Sequence, residues 1–194
     1  MNGRECAGRA GRWLDAVAVL PQWMRLAWWG LVEPRLPGRP HLVVHQAVVI
    51  GPEGVLLALR EELRGWELPG GAALPGESGE QALRREVLEE TGVEVGEMHC
   101  VAVYERSGFR PHVARIYRCD YRSGLPVPSR ETPAVAWFRP DEVPDSLFPW
   151  FRGPLADGLA AHPQPVTRRE SQGVRAIAAG MRIDLAMRVK PGAS

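Results

Sequence analysis

The stretch from Gly71 to Val93 constrains this chain more than any other: Gly71, five residues, Glu77, seven residues, Arg85-Glu86-Val87, one residue, Glu89-Glu90, one residue, Gly92-Val93. At average residue usage, seven fixed residue types and two apolar positions at this spacing arise by chance about once in ten million such chains. The spacing also specifies local structure. Ser78 followed by Gln81 reads as a capping box that starts a helix just after Glu77. Gly92 supplies the left-handed residue that ends it. At about 100° per residue, Glu86, Glu89 and Glu90 fall within an arc of roughly 100° on that helix.

Leu83 and Val87 lie about 60° and 100° round from Glu86 and are expected to face the core, so Glu90, near 40°, sits beside the apolar stripe. Like charges this close destabilise one another and raise each other's pKa unless a divalent cation neutralises them. Clustered hard oxygen ligands suit Mg²⁺, with Mn²⁺ as its substitute. A solvated acidic face laced with Arg84 and Arg85 is the plainer account of such a charge run, but it explains neither the glycines nor the spacing.

This pattern resembles the Nudix box, and Trp66-Glu67-Leu68-Pro69-Gly70-Gly71 matches the strand-to-loop lead-in that usually precedes it. The resemblance covers about residues 41–160. It implies an α/β/α sandwich around a mixed β-sheet and a Mg²⁺-dependent hydrolase that cleaves a diphosphate bond inside a nucleotide-type substrate. It implies a metal shell of Glu86, Glu89, Glu90 and the Gly71 carbonyl, supported by Glu77, with Arg85 orienting a neighbouring Glu.

Hydrolysis also needs a group that takes a proton from water. Several family members carry a Glu for this just before a strand bearing Trp, and here Glu131 stands six residues before Trp137. A surface-loop acid beside Arg130 is the equal alternative for Glu131, and Glu89 and Glu90 are the other candidate bases. Arg60, Gly70, Arg106 and Arg110 are the candidate substrate contacts; the two latter lie in a Gly- and Pro-bearing loop from Arg106 to Pro111, for which a solvated loop is the default. The expected products are a nucleoside monophosphate and a phosphorylated remainder, or pyrophosphate from a nucleoside triphosphate. The rival reading is a Nudix-fold module that binds a nucleotide and regulates or scaffolds without turnover. Neither a Walker-type loop nor GxGxxG occurs, so a P-loop kinase and a dinucleotide dehydrogenase are unsupported.

With 194 residues, 45% apolar and 24% charged, the chain has ordinary globular values. A net charge of +1 gives no general attraction to a nucleic-acid polymer. Of 24 basic residues only Lys190 is lysine, which reflects a G+C-rich coding genome and makes any phosphate clamp an arginine one. Cys6, Cys100 and Cys119 form no CxxC pair and no even framework, consistent with a reducing cytoplasm. Asp15, Pro21 and Arg25 interrupt the early apolar stretch before about 18 residues accumulate, so neither a signal peptide nor a membrane span is read.

Strands are expected at Leu42–Ile50, Val55–Arg60, His99–Glu105, His112–Cys119 and Ala134–Phe138. His45 and His99 then belong to core or site wall, and Cys100 and Cys119 to buried strand positions. A short helix is expected from Asp141 and a second main helix over Pro154–Ala161. The domain therefore runs from 41 to 161, flanked by a Trp-rich helical extension and Pro-rich linker (1–40) and a basic, helical tail (162–194). Trp13, Trp23, Trp28 and Trp29 place four of the seven tryptophans before residue 30. Packing on the domain or in a homodimer is the preferred reading of that segment, over a membrane or protein contact. The tail carries Val174, Ile177, Met181 and Leu185 at helical spacing from Arg168 onward; docking on the enzyme, pairing between subunits and partial disorder stay open.

Overall fold

The computed structural model describes residues 20–32, 36 and 42–189. Trp13, the linker prolines Pro34, Pro37 and Pro40, and Lys190 lie outside the described residues. The elements run α1 (Leu20–Leu31), β1 (Val43–Gly51), β2 (Gly54–Leu59), β3 (Trp66–Glu67), β4 (Gly70–Ala72), α2 (Gly79–Thr91), β5 (Val93–Gly108), β6 (His112–Gly124), β7 (Ala134–Phe138), α3 (Pro149–Ala160), β8 (Val166–Gln172) and α4 (Val174–Val189). One eight-stranded sheet has the order β3-β2-β1-β6-β5-β8, with β4 paired to β1 and β7 to β2. β1 and β6, and β5 and β8, run parallel; the other pairings are antiparallel.

Strand alternation sends side chains to two cores, one on each face of the sheet. Ala47, Val49, Leu56, Val95 and Tyr117 pack with Leu83 and Val87 of α2. Val48, Leu57, Ala114 and Ile116 pack with Phe151 and Leu155 of α3. This is the expected α/β/α arrangement. Burying Leu83 and Val87 contributes about 1.5–3 kcal/mol each, which holds α2 to the sheet. Its ends follow from the sequence: Ser78 Oγ accepts from the Gln81 amide at 3.2 Å, Gln81 accepts from the Ser78 amide at 2.8 Å, and Gly92 closes the helix at φ 73°.

Several elements differ from expectation. The strand expected from His99 begins at Val93, directly after the helix cap, and continues to Gly108. Bulges at Glu94/Val95, Val95/Met98 and Cys100/Ala102 break the alternation that would have marked it. His99 is consequently exposed, whereas His45, Cys119 and half-buried Cys100 face inward. The helix expected from Asp141 is a turn in which the Glu142 amide donates to the Arg139 carbonyl at 2.9 Å. α3 starts at Pro149, whose missing N–H costs nothing in a first turn, and Pro154 lies inside it.

The tail expected to be helical from Arg168 divides in two. Val166–Gln172 is a charged edge strand, a composition that discourages further strand addition. α4 docks back on the domain: Gly180 lies so close to Trp150 that an added Cβ would come within 2.7 Å of its ring, and Trp150 stacks on Phe148 at 4.7 Å. None of the described helices is long and apolar enough to cross a membrane.

Candidate active site

The site begins where β4 crosses beside β1, with Gly71 opposite His45 and Gly70 opposite Gln46. Gly70 has φ 143°, and a Cβ there would lie 2.1 Å from the His45 carbonyl, so no other residue fits. A Cβ on Gly71 would fall 2.5 Å from the Glu86 carboxyl group. The two glycines thus bring bare backbone against α2, and the Gly70 amide donates to Glu90 Oε2 at 2.9 Å.

Arg85 organises the outer half of that contact. Its Nε and Nη2 each donate to Glu77 at 3.0 Å, while Nη1 donates to Glu86 at 2.9 Å and Glu89 at 3.2 Å. Glu77 also accepts from the Leu74 amide at 2.9 Å. Hydrogen bonds from Arg85, then from Leu74, hold the Glu77 carboxyl below its usual range. The same pairing keeps Arg85 firmly charged.

The inner half is less well compensated. Burial, with the Glu67 carboxylate next to it, pushes Glu90 up to about 8 against the opposing pull of the Gly70 amide. Burial also raises Glu67, although Arg60 Nη1 sits 3.3 Å from its Oε2. Sequence reasoning missed Glu67. The signal was available: buried Trp66 and Leu68 flank it in alternation, so its side chain projects to the opposite face, toward α2.

Glu131 is exposed in the loop before β7, and its carbonyl accepts from the Glu61 amide at 3.0 Å. Buried Thr132 ties this loop to α2 by donating from Oγ1 to the Glu90 carbonyl. Arg60 stands among acids, its charge stabilised first by Glu67 and also by Glu90, Glu62 and Glu131. Arg110, in the short 109–111 loop, lies near enough for its charge to lower Glu67, and its amide donates to the Gly30 carbonyl at 2.6 Å.

Arg106 is placed differently from the sequence expectation. It belongs to β5, not to a loop, and is 5% exposed. Pro154 has no N–H for the carbonyl one helical turn before it, that of Trp150, and Arg106 Nη2 donates to that carbonyl. Arg106 also pairs with Glu170 at 3.6 Å and lies over the Tyr104 ring. Its guanidinium thus supplies the donor that the helix lacks at Pro154.

The helix brings Glu86, Glu89 and Glu90 to one side, but their carboxylates are divided: Arg85 holds the first two and Gly70 the third. Among the described residues no three His, Cys, Asp or Glu side chains converge as a metal-holding group. The donor chemistry nevertheless fits a hard divalent cation. All donors are oxygens, the Gly71 backbone is bare beside Glu86, and the Glu67 and Glu90 carboxyls lie close enough to disfavour each other's ionisation without a further cation.

The NUDIX domain family matches residues 40–158. A MutT-like protein of Streptomyces ambofaciens is 38% identical over 120 residues, covering 61% of this chain and 77% of its own length. A putative 8-oxo-dGTP diphosphatase of Bacillus subtilis (strain 168) is 33% identical over 95 residues, covering 49% of this chain and 64% of its own. The crystal structure of a MutT NUDIX hydrolase from Burkholderia pseudomallei superposes with a TM-score of 0.56 at 25% identity, covering 61% of this chain and 98% of that one.

Proposed function

The chain belongs to the Nudix family of hydrolases acting on phosphoric anhydrides, and from that premise we propose that it cleaves a diphosphate bond in a nucleoside triphosphate, releasing a nucleoside monophosphate and pyrophosphate. The observation that carries this reading is the box helix set against the Gly70–Gly71 loop, with its innermost carboxyl pushed up to about 8 by burial and by the neighbouring Glu67. The name of the Bacillus subtilis relative supports an oxidised purine deoxynucleotide as the preferred substrate.

Nudix hydrolases generally use divalent metal ions. Glu86, Glu89, Glu90 and the Gly71 carbonyl would hold Mg²⁺, which when bound neutralises the diphosphate and makes its phosphorus more electrophilic. Arg85 grips Glu77 through Nε and Nη2, so Nη1 can leave Glu86 and Glu89 without freeing the side chain. Glu77 thereby acts as the fixed point from which Arg85 orients the helix acids. Arg60 and Arg110, the cations acting on the Glu67 end of the cluster, meet the negative charge of the substrate. Glu131, exposed and anchored beside Glu61, accepts the proton from the attacking water.

A pyrophosphate-release screen over ordinary and oxidised purine nucleoside triphosphates, nucleotide sugars, ADP-ribose and dinucleoside polyphosphates, with Mg²⁺ or Mn²⁺, tests this. Turnover of a triphosphate to monophosphate and pyrophosphate is expected. Turnover confined to diphosphate-linked substrates would overturn the triphosphate assignment, and turnover insensitive to chelator would overturn the metal.

A further inference from the structure

α1 and α4 meet at a single buried acid. Asp184 of α4 is 0% exposed, and its carboxylate accepts from three directions: Trp23 Nε1 of α1 at 2.9 Å, the Arg64 backbone amide at 2.7 Å and Arg188 Nε at 2.8 Å. The loop between β2 and β3 is thus tied to both α1 and α4. Glu62 in the same loop repeats the arrangement. Its carbonyl accepts from Gln22 of α1 and from Arg188 of α4 at 3.0 Å, and its carboxylate pairs with Arg25 at 3.0 Å.

That loop leads straight to the site. It is closed by the Arg60 amide on the Gly65 carbonyl at 3.2 Å, it carries the Glu61 amide that holds the Glu131 backbone, and Arg60 and Glu67 flank it as an ion pair beside Glu90. The far end of α1 reaches the other side: the Gly30 carbonyl accepts from the Arg110 amide, and Gly30 lies against the Phe109 ring. One helix therefore touches both loops whose arginines act on Glu67.

We infer that Asp184 is a positioning residue that joins α1 and α4 into a brace setting Arg60 and Arg110 for the anionic part of the substrate. The inference rests on the proposed reaction for its substrate but not for its mechanics. A buried carboxylate with three donors has one low-energy arrangement, because each lost bond leaves a desolvated charge unsatisfied. Losing that arrangement shifts cations needed to bind phosphate, and displacements on the order of 1 Å at such contacts have large kinetic effects.

The test uses the full chain with Asp184→Asn and, as a milder change that removes one donor, Trp23→Phe. Two quantities are read: hydrogen exchange of the amides at 60–65 and 109–111, and KM and kcat for the best triphosphate substrate with saturating Mg²⁺. For Asp184→Asn the expected result is faster exchange in both loops, KM raised about tenfold and kcat within about twofold of the parent, with Trp23→Phe in the same direction but smaller. Faster exchange confined to α4, or unchanged KM with loosened loops, would overturn the inference. So would an Asp184→Asn variant with kcat and KM lost together while Trp23→Phe is unaffected in exchange and KM, which marks a purely structural role. Absence of any turnover in the parent protein would instead sink the proposed reaction, and the brace would be judged by loop exchange alone.

Discussion

Two carboxylates on opposite faces of the sheet show how differently this fold treats a charge withdrawn from water. Asp157 on α3 is surrounded by donors: Arg168 grips both oxygens, Tyr104 donates its hydroxyl, and His162 stands at 3.1 Å. The Arg168 guanidinium, first among these, holds Asp157 down to about 2. Glu90 on α2 has one backbone amide, and burial, with the Glu67 acid close by, pushes it up to about 8. The first arrangement is complete and fastens β8 to α3. The second is incomplete as it stands, as the proposed metal site would require.

The largest effect that tests this contrast is on turnover. Replacing Glu89 and Glu90 by Gln keeps their shape and removes two carboxyl groups able to ligate a cation, so turnover is expected to fall at least about a hundredfold. Stability without metal should not fall, because an amide at position 90 can still accept from Gly70 and no longer faces Glu67 as a charge. Undiminished steady-state turnover in the double variant would end the proposal that these acids hold the metal.

Asp157→Asn should show the converse. Breaking a buried, multiply bonded charge costs about 2–3 kcal/mol and strands Arg168. Urea unfolding measures that loss, while kcat stays within about twofold of the parent. A hundredfold loss of kcat with little change in stability would mean the two acids have been assigned to the wrong roles.

The pH dependence of stability, measured in chelator, separates the pair by sign. Asp157 is depressed from about 3.8 to about 2, so its contribution is fully present above pH 3.8 and is lost as pH falls through 2. Glu90 is raised from about 4.5 to about 8, so its contribution is fully present below pH 4.5 and is lost as pH rises through 8. Each window should flatten in the corresponding Asn or Gln variant. A window that survives its own substitution belongs to another group.

What the sequence made legible was local. Ser78, Gln81 and Gly92 announce the box helix because capping is a contact between near neighbours, and Leu83 and Val87 announce its buried face by period alone. The bonds that matter elsewhere span long separations: Tyr104 to Asp157, Trp23 to Asp184, Arg64 to Asp184. No short pattern records them. β8 was misread for a related reason, since its strand state comes from pairing with β5 and its charges from lying at the sheet edge, neither of which leaves a periodicity of its own.

Arg106 offers the smallest effect and the sharpest correction. In the sequence it is one of two arginines near a Gly-bearing turn, and phosphate binding is a reasonable expectation. In the fold, Pro154 leaves the Trp150 carbonyl without its helical donor, and the Arg106 guanidinium supplies one from a neighbouring strand. Lysine at 106 would keep the charge beside Glu170 but lose the planar geometry that reaches both partners. Arg106→Lys is therefore expected to lower stability by about 1 kcal/mol, read from the urea midpoint, with KM unchanged. A several-fold rise in KM at unchanged stability would return Arg106 to the substrate side; the same substitution at Arg60 should give that KM rise, because Arg60 stands half-exposed among the acids of the site.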